Sequence, residues 1–202
     1  MATAYDYYKD AAERHLETCK ELREYIKANF QGKPTLSPQE ERKQKMILAN
    51  IYYLSGYVIE CIVNYGILKH IKFENMGKEL KNLVSDDNPH GVSYSNYPKM
   101  QSLKPIKYVI YAPNHRLNAG NKHLFFKSIV KITGREFDAI PFINGKPLNP
   151  KQQNLFKIWG ATIRYEIDYN LLVLSDIEEF CENSEKIYNG MDRHIIPFLS
   201  KL

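Results

Sequence analysis

The sequence predicts an all-α protein, an up-and-down bundle of about five helices in a single domain over residues 1–202. Three observations carry that expectation. Apolar residues recur at steps of three and four through long windows, polar cap residues stand where those windows open, and one stretch alone, residues 107–111, has the composition of a strand.

The first helix is expected over residues 4–29. Tyr8, Ala11, Ala12, Leu16, Cys19, Leu22 and Ile26 keep one apolar face. Gln31-Gly32-Lys33-Pro34 ends it, with glycine and proline in stop order. Ser37-Pro38-Gln39-Glu40 is a capping box with proline at the first helical position, and it opens a second helix that reaches residue 71. That helix is about 50 Å long at 1.5 Å per residue. It carries two stripes, Ile47, Ile51, Leu54, Val58, Cys61, Tyr65 and Leu68 on one side and Tyr53, Gly56, Tyr57, Glu60 and Asn64 on another, so other helices are expected around it. Gly56 is costly inside a helix and predicts the close approach of another backbone.

Residues 72–120 interrupt the pattern with SDDNPHG, SNYP and APNHRLNAGN, all rich in turn formers. They predict an irregular insertion, with a short helix over 76–84 and the strand at 107–111. A third helix is expected over 121–134. Asn149-Pro150-Lys151-Gln152 opens a fourth that runs to residue 169, and Ser175-Asp176-Ile177-Glu178 opens a fifth that runs to 194, ahead of Pro197.

Residues 52–71 are apolar enough to resemble a membrane span, yet Glu60 sits near the centre and Asn64 one turn later. A charge at bilayer depth costs several kcal/mol, so the segment reads as a buried helix and no membrane partner is expected. A buried carboxylate needs an opposite charge or hydrogen bonds. Arg164, in WGATIRYEIDY, is the partner expected for Glu60, with Asp168 as the arginine's other neighbour.

Composition excludes several classes. Hydrophobic content of 44% with 25% charged residues is that of a globular chain, not a disordered one. The first residues, charged from Asp6 on, are not expected to be a signal peptide. Cys19, Cys61 and Cys181 are odd in number and widely spaced, which predicts small buried hydrophobes in a reduced, cytoplasmic protein, with no zinc site and no disulfide framework. His70, His90, His115 and His123 show no metal-ligand spacing, and no phosphate loop or nucleophile elbow is present, so neither metal nor cofactor is expected.

Charge is uneven. Residues 69–127 hold ten Lys and Arg against four Asp and Glu, a net of +6, while the rest hold 18 basic and 19 acidic groups, a net of −1. Within the basic segment Tyr94, Tyr97, Tyr108 and Tyr111 stand among Lys99, Lys104, Lys107 and Arg116. Aromatics among cations suit unpaired bases and phosphates, which makes Lys99, Lys104, Lys107, Tyr108 and Arg116 the candidate RNA contacts. Packing of the same tyrosines onto the helices is the competing reading.

The run Tyr52-Tyr53-Leu54-Ser55-Gly56-Tyr57-Val58-Ile59-Glu60-Cys61, followed by Trp159 and then Arg164-Tyr165, resembles the HEPN domain family. The resemblance covers the second, fourth and fifth helices, touches His123-Leu124 and omits residues 72–120. It implies a small helical bundle that dimerises, in many members a metal-independent endoribonuclease of toxin or defence type, often paired with a nucleotidyltransferase-like partner. It further implies an arginine, about four to six residues before a histidine, brought together with it across the dimer. The arginine would neutralise phosphorane charge while the histidine moves a proton.

Arg164 matches that arginine, but the window after it holds Tyr169, Asn170 and Leu171 and no histidine. Tyr169, with a phenol that ordinarily ionises near 10, is a weak base at neutral pH. Arg116 and His123 have a related spacing outside the fourth helix. The candidate catalytic residues are therefore Arg164 and Tyr169, or Arg116 and His123. Three functions compete: a dimeric binder of RNA, a nucleotide or a partner protein; an endoribonuclease; and a helical adaptor. The missing histidine favours the first.

Overall fold

The computed structural model describes residues 6–70, 117, 149–165 and 167–199, with the side chains of residues 67, 68, 70, 161, 164, 194, 195, 198 and 199 outside what it describes. The insertion, the strand at 107–111 and the helix expected over 121–134 lie outside the described residues, apart from the fully buried Leu117. Among the described residues the chain is all-α, without a β-strand.

Helix α1 spans Asp6–Phe30 and α2 spans Pro38–His70. Between them Gly32 takes a positive φ of 82°, a backbone that favours glycine. The capping box forms: Glu40 N–H donates to Ser37 Oγ at 3.3 Å and Ser37 N–H donates to Glu40 Oε2 at 2.9 Å. Lys33 Nζ, 2.7 Å away, together with the Ser37 N–H and hydroxyl, holds the Glu40 carboxyl down to about 2. Contacts fix the direction of the hairpin. Lys43 lies over the Tyr25 ring, Cys19 meets Ser55 and His15 meets Tyr57, so α2 descends as α1 ascends.

Helix α3 spans Pro150–Ile158. Asn149 caps it, with its side chain accepting from Gln152 N–H at 2.9 Å and Pro150 in the first turn. Asn149 Nδ2 also donates to the Glu179 carboxylate, which ties the cap to the next helix. Helix α4 spans Leu174–Gly190, passes through a π turn at Met191–Ile195 and continues as α5 at Ile196–Leu199. It packs against α2 through the Tyr52–Phe180 rings, 5.0 Å apart edge to face, and against α1 through Arg23–Glu182 at 2.7 Å and Lys9–Asp192 at 2.6 Å. Helices α1, α2 and α4 thus enclose one core, and α2, long and apolar enough to span a bilayer, has most of that stretch buried against its neighbours.

Three expectations are corrected. The fourth predicted helix stops at Ile158 rather than 169, because Trp159 (ψ 133°) and Gly160 (φ −166°, ψ 165°) turn extended and only short 3-10 turns follow, Ala161–Arg164 and Tyr169–Leu171. The fifth starts from Val173, which supplies no side-chain cap, so Ser175 lies inside the helix and its box does not form. It also runs past Pro197. The π turn ahead of the proline shifts the hydrogen-bond register where the ring has no N–H to give.

Candidate functional site

The face of α2 that carries the motif is a socket for one ring. Trp159 is fully buried, its indole N–H donating to the Tyr53 carbonyl at 3.2 Å and its ring edge-on to Tyr57 at 5.1 Å. The indole fills the space above Gly56, so a methyl group built there would fall inside the ring. The expectation of a close backbone at Gly56 is thereby corrected: the glycine admits an indole. Trp159 keeps a helical φ of −59° and its N–H still donates to the Leu155 carbonyl at 3.1 Å, so the indole projects from the last turn of the helix and the backbone turns extended only after it.

The docked indole also places the residues after it. The 3-10 turn Ala161–Arg164 packs against α2, so Arg164 enters the segment that lies along the helix bearing Glu60. Glu60 is buried at 5% exposure, one turn beyond Gly56 on the same face. The expected Glu60–Arg164 pair itself rests on a side chain outside the described residues. Asp168 is exposed, its carboxylate accepting from Asn170 N–H at 2.9 Å, and Tyr169 is exposed on the second 3-10 turn. Arg116, His123, Lys99, Lys104, Lys107 and Tyr108 lie outside the described residues.

A cavity of about 190 Å³ opens beside these turns, lined by Tyr52, Ile158, Thr162, Ile163, Ile167, Asp168, Leu171 and Leu172. The hydroxyl of Tyr52, one of the lining residues, donates to the Leu155 carbonyl, and burial pushes that phenol well above its ordinary range. Of its lining Ile158 and Leu171 are exposed, and in the same stretch of chain so are Tyr165, Tyr169 and Val173, each of the five at least 41%. Five of the chain's large exposed apolar side chains therefore share one 16-residue stretch, among the described residues a concentration found nowhere else.

His15 escaped the sequence reading. It lies at the stripe position between Ala11 and Cys19, a signal that was present, and its ring is 5.7 Å from Tyr57 behind the tryptophan socket. Burial, with help from the Arg14 charge, lowers its pKa. Below about pH 6.5 the unfolded chain takes up a proton that folded His15 resists. Stability should therefore be full above 6.5 and fall as pH drops toward the folded value. Urea melts at pH 7.5 and 5.0 should show this decline, and His15→Gln should flatten it.

Among groups able to hold a metal, no cluster of three His, Cys, Asp or Glu occurs in the described residues. Comparison with family models, curated proteins and solved structures finds no match for the chain.

Proposed function

We propose that this chain is a HEPN-like cytoplasmic protein that binds RNA as a homodimer without cutting it. One observation carries the reading. The two segments whose residues resemble that family, far apart in sequence, meet through the Trp159 indole on Gly56, which sets the stretch bearing Arg164 along the helix bearing Glu60. The exposed apolar side chains around Tyr165 and Tyr169 are the surface through which a second copy, or a nucleotidyltransferase-like partner, would be held. The positive excess of residues 69–127 supplies the attraction for phosphate. Cleavage is disfavoured because no histidine follows Arg164 in the window where one would serve as base.

Mixed RNA incubated with the protein in EDTA tests this, beside Arg164→Ala and Arg116→Ala and with thermal melts of each. The expected result is intact RNA, retained at low salt and released at high salt, with retention weakened in Arg116→Ala. Cleavage that disappears in a folded Arg164→Ala or Arg116→Ala protein would make the chain an endoribonuclease and name its arginine. Intact RNA without retention would leave an adaptor.

A further inference from the structure

The cavity lined by Tyr52 of α2, Ile158 at the end of α3 and residues of both 3-10 turns has a size and a polarity that select its occupant. Its walls are largely aliphatic, from Ile158 to Leu172, and among the described residues that line it Asp168 alone is charged. Its volume of about 190 Å³ falls short of the roughly 300 Å³ at which sites for drug-sized ligands begin. It exceeds the ~150 Å³ of an apolar cavity that holds benzene. The room is that of one flat ring system, with sugar and phosphate left outside. The exposed Asp168 carboxylate repels phosphate and accepts only from N–H or O–H groups.

We propose that this cavity takes a guanine base of single-stranded RNA, with the Asp168 carboxylate accepting from its Watson–Crick edge. The inference rests on the RNA-binding reading above and names the base which that reading leaves open. Asp168 Oδ1 accepts from Asn170 N–H at 2.9 Å, which holds the carboxylate at the start of the second 3-10 turn. A carboxylate has about four acceptor sites, so both oxygens still have lone pairs to offer. Guanine alone among the four bases sets two donors side by side on that edge, N1–H and the 2-amino group, to match two oxygens. Adenine and cytosine place a ring-nitrogen acceptor beside their amino group, and uracil flanks its N–H with carbonyls. Each of these turns a lone pair toward the carboxylate. The aliphatic walls cover the ring faces of the unstacked base, the usual companion of edge recognition in RNA.

Labelled oligouridine strands carrying one central guanosine, inosine, adenosine or uridine test this in EDTA. Binding is followed by anisotropy with the wild-type chain and with Asp168→Asn, each with a thermal melt. Wild type should bind the guanosine strand about tenfold more tightly than the adenosine or uridine strand. The inosine strand, which lacks the 2-amino donor, should fall between. In Asp168→Asn the amide oxygen still accepts from Asn170 N–H, but its N–H₂ meets a guanine donor, so the preference should vanish. Salt-dependent binding of every strand without a guanosine preference would overturn the pocket and leave the RNA reading standing. A preference retained by folded Asp168→Asn would do the same. If that variant fails to fold, wild type decides, because equal affinity for inosine and guanosine contradicts the two-donor contact. If no strand binds, the RNA reading falls, and guanosine and adenosine titrated alone decide on the pocket. The amide signals of Asn170 and Leu171 should then shift with guanosine only, and their failure to do so would overturn it.

Discussion

Gly56→Ala should destabilise the protein by about 3 kcal/mol, although alanine is the better helix former by about 1 kcal/mol. Overpacking wins because the added methyl meets the indole of Trp159, a rigid ring held by its N–H to the Tyr53 carbonyl and by the edge of Tyr57. It is no flexible chain end that can swing aside. Trp159→Ala should cost about 3–5 kcal/mol, the usual loss for a buried large aromatic. In that background Gly56→Ala should change sign and stabilise by up to about 1 kcal/mol, since propensity remains and the ring is gone. Urea melts of the four proteins measure the coupling. Additive effects would mean that the glycine and the indole do not constrain each other. Gly66 offers a contrast, because a methyl there meets the mobile end of Met191, and its replacement should be milder.

Gln152→Glu should be the most damaging single-atom change, about 3–5 kcal/mol at neutral pH, while Gln152→Met should cost no more than about 1.5 kcal/mol. Gln152 is fully buried between α3 and α4, where its Nε2 donates to the Asp176 carbonyl at 2.7 Å. Its Oε1 has no hydrogen-bond partner. A carboxylate in that position loses the donor and sets a buried charge against a carbonyl. Methionine also loses the bond, but it removes an unpaired acceptor at the same time. The carboxyl introduced by Gln152→Glu would ionise later in the folded than in the unfolded chain. The variant should therefore approach Gln152→Met near pH 4 and diverge from it as pH rises, a trend that melts across that range would record.

The parts of the fold legible in the sequence are those fixed by local chemistry. Ser37 with Glu40, and Asn149 with Pro150, announce helix starts because a side chain within one turn satisfies the free N–H groups. The α1 stripe and the burial of α2 follow from periodicity. The illegible parts depend on distant partners. The helical spacing continues past Ile158, yet the chain turns extended after Trp159, whose indole packs on a glycine more than a hundred residues earlier. Val173 begins a helix without a polar cap, and its first turn is held by the Val173 carbonyl accepting from Ile177 N–H at 3.0 Å. Pro197 reads as a stop, but the π turn before it absorbs the missing donor. Of the site, Gly56 and Trp159 were legible as motif residues, whereas their contact was not.

The most direct test of the central claim is a titration of labelled single-stranded RNA with the wild-type protein in EDTA, repeated over a range of salt concentrations. The account predicts affinity that falls linearly on logarithmic axes, with a slope of about −0.7 per neutralised phosphate, and a shallower slope in Lys107→Ala and Arg116→Ala proteins that melt like wild type. Affinity that ignores salt, or slopes that these two substitutions leave unchanged, would contradict it.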